Sequence, residues 1–236
     1  MIGTWTAPLQ GGETAEEVLL SFDGDRASRL LVLPAWFDEA NKLRRFTLEV
    51  MRGLDESGID SFLPDLPGCN ESLVPLETQT IADWRAAALV AAEKFAATHV
   101  LAVRAGALIA PPQLPGWRYA PQSGPKQLRG MIRARTIAAR EEGREESSEA
   151  LMGEGRNTGL VLAGWPLGAE LFRELAVAEA EPSQIQQDIP QSQIEGAGLW
   201  LRAEPDHDHA QAAALAGIIA SSLGEKPGEP TGEGVA

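Results

Sequence analysis

Residues 99–110 constrain the fold of this chain more than any other segment. Residues 99–103 read as a short buried strand, a tight turn follows at Arg104, and the next residues begin a helix, with Gly106 two places past the apex. A strand that turns sharply into a helix is typical of sheets in which strands and helices alternate. In many enzymes a Gly-x-Ser-x-Gly turn of this kind exposes a nucleophilic serine. Here the apex residue is Arg104 and the first glycine position is Ala102.

The rest of the chain predicts the same class of fold. Apolar runs at 18–22 and 30–33, separated by turn residues, are expected to pair as neighbouring strands. Further strands are expected at 59–63, 160–163 and 199–201, and helices at 40–57, 80–97, 128–140 and 211–223. We expect an exposed loop at 141–155 and a mobile excursion at 179–196. The prediction is an α/β fold in three layers, with a mostly parallel central sheet covered on both faces.

Length and cysteine content favour one domain in a reducing compartment. A domain of this size buries roughly 70% of its unfolded surface, so residues 1–223 can form a single core. Residues 224–236 have the composition of a disordered tail. Cys69 is the one cysteine, which excludes a disulfide within the chain.

Charge and hydropathy restrict the partners. The formal charge is −14, which argues against binding to nucleic acid or to an anionic membrane surface. The N-terminus lacks the pattern of a secretory signal, and no apolar run approaches the length of a membrane span. We therefore expect a cytoplasmic protein that does not insert into membranes.

Three stretches carry a resemblance to a known family. Residues 33–45 contain a proline-led loop followed by Glu-x-Asn-Lys-x-Arg-Arg, and residues 63–72 read Leu-Pro-Asp-Leu-Pro-Gly-Cys-Asn-Glu-Ser. Together with the turn at Arg104, they resemble the α/β-hydrolase superfamily, and within it the group called exosortase A system-associated hydrolase 2. The resemblance implies an α/β-hydrolase-type fold with a reduced C-terminal part. It also implies a cytoplasmic bacterial protein encoded near exopolysaccharide and protein-sorting genes.

The chemistry of that superfamily is incomplete in this sequence. Serine hydrolysis in this fold needs a nucleophile, then an acid, then a histidine along the chain. A guanidinium at Arg104 cannot attack a carbonyl. The acid position would follow 199–201, where Asp206 or Asp208 could match, but no histidine follows His209. The leading expectation is therefore a catalytically inactive relative, with no cofactor and no metal site.

Weaker catalytic candidates remain open. Asp206 and His207 could form a displaced acid and base in an active esterase-like or thioesterase-like hydrolase. A hydrophilic surface loop explains these residues equally well. His99 is expected to be a structural residue at the edge of a buried strand, and Cys69 a packed cysteine.

Two interpretations of Arg104 also remain open. With Asn41 and Lys42, its guanidinium could bind an anionic small molecule, because carboxylates and phosphates suit such a site. The alternative is an internal ion pair with an acidic residue of the neighbouring loops: Asp38, Glu39 or Asp65. A third role, as a scaffold for a protein partner, would use the charged segment 141–155.

Overall fold

The computed structural model describes residues 1–224. The nine strands, in chain order, are β1 (Ile2–Pro8), β2 (Thr14–Phe22), β3 (Arg29–Leu33), β4 (Asp60–Pro64), β5 (His99–Val103), β6 (Gly116–Tyr119), β7 (Leu160–Leu162), β8 (Trp165–Leu167) and β9 (Gln186–Ile189). The α-helices within this range are α1 (Asp38–Glu56), α2 (Ile81–Lys94), α3 (Gly124–Glu141), α4 (Ser148–Thr158), α5 (Ala169–Leu175) and α6 (His209–Gly224). The predicted tail lies outside the described residues, apart from Gly224, which ends α6.

The central sheet has the order β1-β2-β4-β3-β5-β6-β9. The pairs from β4 through β9 are parallel, and β1 and β2 join antiparallel at one edge. One apolar cluster packs α1 and α6 on one face, and a second packs α2, α3 and α5 on the other. The predicted three-layer α/β fold with a mostly parallel sheet is therefore confirmed.

The predicted pairing of 18–22 with 30–33 is wrong, because β4 lies between these two strands. The turn that separates them crosses over the start of β4 and is held by the buried carboxylate of Asp60. Asp60 accepts hydrogen bonds from the backbone N–H of Gly24 at 2.8 Å and of Arg26 at 2.9 Å. Arg29 donates to the same carboxylate at 2.9 Å. Residues 23–26 form a turn, but this turn connects β2 to β3 across β4 and does not make a hairpin.

Part of the predicted exposed loop at 141–155 is helical. Ser147 caps α4 by accepting a hydrogen bond from the backbone N–H of Ala150, and Leu151 is buried. Glu146 pairs with Arg135 of α3, so this segment is held against the neighbouring helix. The scaffold role for 141–155 stays a prediction.

The C-terminal third differs most from the prediction. Residues 199–201 form a 3-10 turn and not a strand. The excursion predicted at 179–196 contains β9, which pairs in parallel with β6. Residues 160–162 form a strand, but it pairs with β8 in a separate hairpin. No strand follows β9 in the described part of the chain.

Candidate functional site

The sharp turn after β5 is present, with Arg104 at its apex. Arg104 has a φ of 55°, in the left-handed region that non-glycine residues seldom occupy. The six residues Arg104–Ile109 then form a 3-10 helix where the sequence indicated the start of a longer helix. Gly106 lies directly against the end of β3. A Cβ atom there would meet the carbonyl oxygens of Leu33 and Pro34 at 2.6 and 2.7 Å.

The guanidinium of Arg104 is held by an internal network. Its Nε donates to Oε2 of Glu39 at 2.9 Å and its Nη2 to Oε1 at 3.1 Å, which makes a bidentate pair. Nη1 donates to the carbonyl oxygen of Ala120 at 2.7 Å, and Nη2 also donates to the side chain of Gln122. Arg104 is 7% exposed. The ion-pair interpretation is therefore observed, with Glu39 as the partner among the three acids that the sequence left open.

Aromatic side chains pack around the network. The indole of Trp200 lies 4.0 Å from the guanidinium carbon of Arg104, a cation–π contact. Tyr119, at the end of β6, meets Trp200 edge to face at 6.0 Å and stacks on Phe46 of α1. Burial raises the pKa of the Tyr119 hydroxyl to about 12. At the position where related turns present a nucleophile, this chain presents a paired and covered cation.

The other residues predicted to bind an anion do not join Arg104. Lys42 pairs with Asp38 one helical turn away at 2.7 Å, and Asn41 is exposed. Neither is among the hydrogen-bond partners of Arg104. An anion at Arg104 stays a prediction, and such an anion would have to displace the carboxylate of Glu39.

The strand that the catalytic acid was expected to follow is not present at 199–201. Because 199–201 is not a strand, the strand that follows β6 in the parallel sheet is β9, which ends at Ile189. Gln191 lies two residues beyond that end and accepts a hydrogen bond from Tyr119. Its amide nitrogen donates to the side chain of Gln211 at 3.2 Å. The side chain that follows the last strand of the parallel sheet is thus an amide, which cannot orient a histidine by its charge.

Asp206 and His207 lie in an exposed loop before α6. Asp206 pairs with Arg202 and accepts a hydrogen bond at 2.7 Å from the backbone N–H of His207. That backbone donor, followed by Arg202, lowers the pKa of Asp206. The imidazole Nδ1 of His207 is 3.7 Å from the same carboxylate. These contacts are all local, and none reaches the turn at Arg104.

The remaining histidine and cysteine candidates do not complete a site. His99 begins β5, at the opposite end of the strand from Arg104, and stacks on Trp117. Burial lowers its pKa. Burial also raises the pKa of Cys69, which keeps its sulfur protonated and a poor nucleophile. Within residues 1–224, no three histidine, cysteine or acidic side chains cluster as metal ligands, and no helix is long and apolar enough to cross a membrane.

Comparison with solved structures places this geometry in a known fold. Alpha/beta hydrolase domain-containing protein 10 from mouse matches with a TM-score of 0.55 and 13% identity, over 94% of this chain and 98% of that one. The esterase domain of a Rhodothermus marinus protein matches with a TM-score of 0.54 and 13% identity, again over 94% and 98%. Est1E from Butyrivibrio proteoclasticus, with ferulic acid bound, gives 0.52 and 13% over 93% and 97%.

The fold is thus that of the α/β hydrolases. No protein-family profile matches the sequence, and no curated protein matches it. At these low identities the structural likeness establishes the fold alone. The chemistry must be argued from the residues of this chain.

Proposed function

We propose that this chain is a divergent α/β-hydrolase-fold protein that does not carry out serine-type hydrolysis and acts by binding. The observation that carries the proposal is Arg104, paired with Glu39 at the apex of the turn. A guanidinium stays protonated in proteins and cannot serve as a nucleophile. The amide of Gln191 beyond β9 supports the same conclusion, because triad chemistry needs an acid to orient the base.

The resemblance of residues 33–45 and 63–72 supplies the proposed context. Those motifs are similar to the exosortase A system-associated hydrolases, so we place the protein in the bacterial cytoplasm, alongside exopolysaccharide synthesis and protein sorting. A gene-neighbourhood survey tests this placement. Polysaccharide and sorting genes beside this gene would support it, and their consistent absence would remove it.

An anionic small molecule at Arg104 remains part of the proposal. Binding there requires Glu39 to release the guanidinium, so the expected affinity is low. Thermal unfolding with phosphate, citrate and succinate measures it. A rise in the melting temperature that Arg104→Ala abolishes would support the predicted site. No rise with any of the three anions would exclude it.

A panel of short-chain aryl esters and thioesters tests the absence of hydrolysis. We expect no turnover above background for the wild-type chain. We expect none for Arg104→Ser either, because a new serine would have no histidine to take its proton. Asp206→Asn and His207→Ala serve as probes of the alternative active site. Turnover by the wild-type chain that His207→Ala abolishes would establish that alternative and overturn the proposal.

A further inference from the structure

A cleft beside the 3-10 helix that follows Arg104 is lined by cations at one end and by apolar groups at the other. Two cavities meet at Arg118 of β6. The larger, of about 520 Å³, lies between α2 and residues 181–186. The smaller, of about 410 Å³, lies between the start of α3 and residues 179–180. Arg118 forms part of the wall of both cavities. The larger cavity by itself already has a volume in the range typical of small-molecule sites.

The sheet provides a polar floor for this cleft. Because side chains alternate along a strand, Arg118 and its partner Asp188 on β9 face the same side of the sheet. The neighbouring β6 residues, Trp117 and Tyr119, belong to the apolar core on the other face. The connection from β5 to β6 contains only a six-residue 3-10 helix. No full helix of this connection covers the polar face, and two cavities border that face at Arg118.

The larger cavity is the apolar end of the cleft. Its wall includes Leu89 of α2 and Ile185, both of which are partly exposed to solvent. The end of the 3-10 helix and the prolines that follow it complete the apolar wall: Ala107, Leu108, Ile109, Ala110, Pro111 and Pro112. Arg85 and Glu181 are the charged side chains at this end. Their charges cancel, so this end suits an uncharged apolar group.

The smaller cavity is the cationic end of the cleft. Arg118, Lys126 and Arg129 line it, together with the carboxylates of Glu179 and Asp188. Asp188 is paired with Arg118 at 2.6 Å, whereas Lys126 and Arg129 form no ion pair within residues 1–224. Three cations against two carboxylates leave one excess positive charge. In a chain with a formal charge of −14, this local excess is the reverse of the overall balance.

Arg118 is fixed where the two cavities meet. It is 8% exposed, its Nε donates to Asp188, and its Nη1 donates to the carbonyl oxygen of Glu181 at 2.6 Å. Nη2 makes no hydrogen bond to another residue of the described range, 1–224. A guanidinium held in this way needs no reorganisation to donate to a ligand. It would meet a ligand headgroup at the boundary between the apolar and the cationic ends.

We propose that this cleft binds an amphipathic organic monoanion: a carboxylate at Arg118, Lys126 and Arg129, with its apolar chain between α2 and residues 181–186. The single excess positive charge matches a carboxylate better than a doubly charged phosphate. The apolar end accommodates a chain or ring that carries no charge of its own. This inference rests on the proposed binding role, but its cations are separate from Arg104 and Glu39. Gln122, which accepts a hydrogen bond from Arg104, also lines the smaller cavity.

Calorimetric titration with decanoate tests the proposal on the full chain. Decanol serves as the uncharged control, acetate as the headgroup alone, and decyl phosphate as the dianion. We expect decanoate to bind at least tenfold more tightly than any of the three. Equal binding of decanoate and decanol, tighter binding of decyl phosphate, or no binding of decanoate would each overturn the proposal.

Three variants locate the site. Lys126→Ala combined with Arg129→Ala removes two exposed cations and is expected to weaken decanoate binding at least tenfold. Leu89→Asp puts a charge at the apolar end and is expected to weaken it similarly. Arg133→Ala on the same helix, outside both cavities, is the matched control and leaves binding unchanged. Equal affinities in all these variants would overturn the proposal. The ester panel is a separate readout, so the absence of hydrolysis and the cleft can fail independently.

Discussion

The edge of the sheet at Arg104 and the cleft at Arg118 each contain a buried arginine held by a carboxylate and a carbonyl oxygen, but the surroundings of the two arginines differ. At the edge, Arg104 meets a bidentate carboxylate, a carbonyl oxygen, an amide and an indole face. In the cleft, Arg118 is anchored by Asp188 and a carbonyl, but Lys126 and Arg129 beside it are exposed and unpaired. Cations that are fully satisfied stabilise a structure, whereas unpaired cations around a cavity remain available to a ligand. The first region is a structural network, and the proposed ligand site lies in the second.

The largest expected effect on the free energy of unfolding is at the ion pair of Arg104 and Glu39. Arg104→Ala leaves the carboxylate of Glu39, which is 13% exposed, without its partner. Removing one partner of a buried pair typically costs about 3–5 kcal/mol. Urea unfolding measures the loss in the free energy of unfolding. The double variant Arg104→Met with Glu39→Leu is the control, and it should recover most of the stability because no charge is left unpaired. A loss below about 1 kcal/mol in Arg104→Ala would show that the pair is not structural.

The next effect tests the turn itself. Gly106→Ala places a methyl group against the carbonyl oxygens of Leu33 and Pro34, which belong to backbone and cannot easily move. Such overpacking costs about 1–3 kcal/mol. The matched control is Gly130→Ala on exposed α3, where an added Cβ meets nothing within 4 Å. The control is expected to gain up to about 1 kcal/mol from helix propensity. Equal effects at the two glycines would contradict the close packing of the turn.

The sequence predicted the turn at Arg104 better than the cleft at Arg118, for a physical reason. The turn at Arg104 and the strand before it are local sequence patterns. A nearly buried guanidinium needs a carboxylate, and this need indicated the acids on the neighbouring loops, Glu39 among them. The cleft instead depends on β6 and β9, two four-residue strands. Each carries polar side chains on its open face, so neither has the apolar run by which buried strands are identified. Exposed basic residues such as Lys126 and Arg129 carry no local sequence signal of a cavity, because the solvated face of a helix has the same composition.

The errors around β9 also have a common origin. Residues 199–201 are apolar because Leu199 packs into the core, and not because they form a strand. The segment containing β9 is rich in glutamine and acid, which favours disorder in isolation. Pairing with β6 and burial of Ile189 override that local preference. The position of Gln191 could not be found until the strand before it was known.

A smaller effect is expected on the pH dependence of the free energy of unfolding, which depends on whether a buried carboxylate is paired with a cation. Glu17 of β2 is 2% exposed and accepts a hydrogen bond from Ser72 at 2.7 Å, and no cation of residues 1–224 pairs with it. Burial raises its pKa above 4.5, and the charge of Asp65 adds to the rise. Its protonated form therefore stabilises the folded state at low pH, and this contribution is lost as the pH rises through the raised pKa.

Glu17→Gln is expected to remove that pH dependence. The free energy of unfolding, measured by urea titration at a series of pH values, should fall less from acid to neutral pH in this variant than in the wild type. Glu16→Gln on the same strand is the control, because a hydrogen bond from Thr6 lowers the pKa of Glu16. If Glu17→Gln leaves the pH profile unchanged, the uncompensated burial of Glu17 does not govern it.

The smallest expected effect on the free energy of unfolding is at the cleft beside Arg118. Lys126→Ala with Arg129→Ala should change the free energy of unfolding by less than about 0.5 kcal/mol, because exposed charges without partners contribute little to it. Decanoate should raise the melting temperature of the wild-type chain by binding the folded state, and the double variant should lose this rise. A large loss of stability in the double variant would mean that these cations hold the fold together. The cleft would then be a second structural network like the one around Arg104.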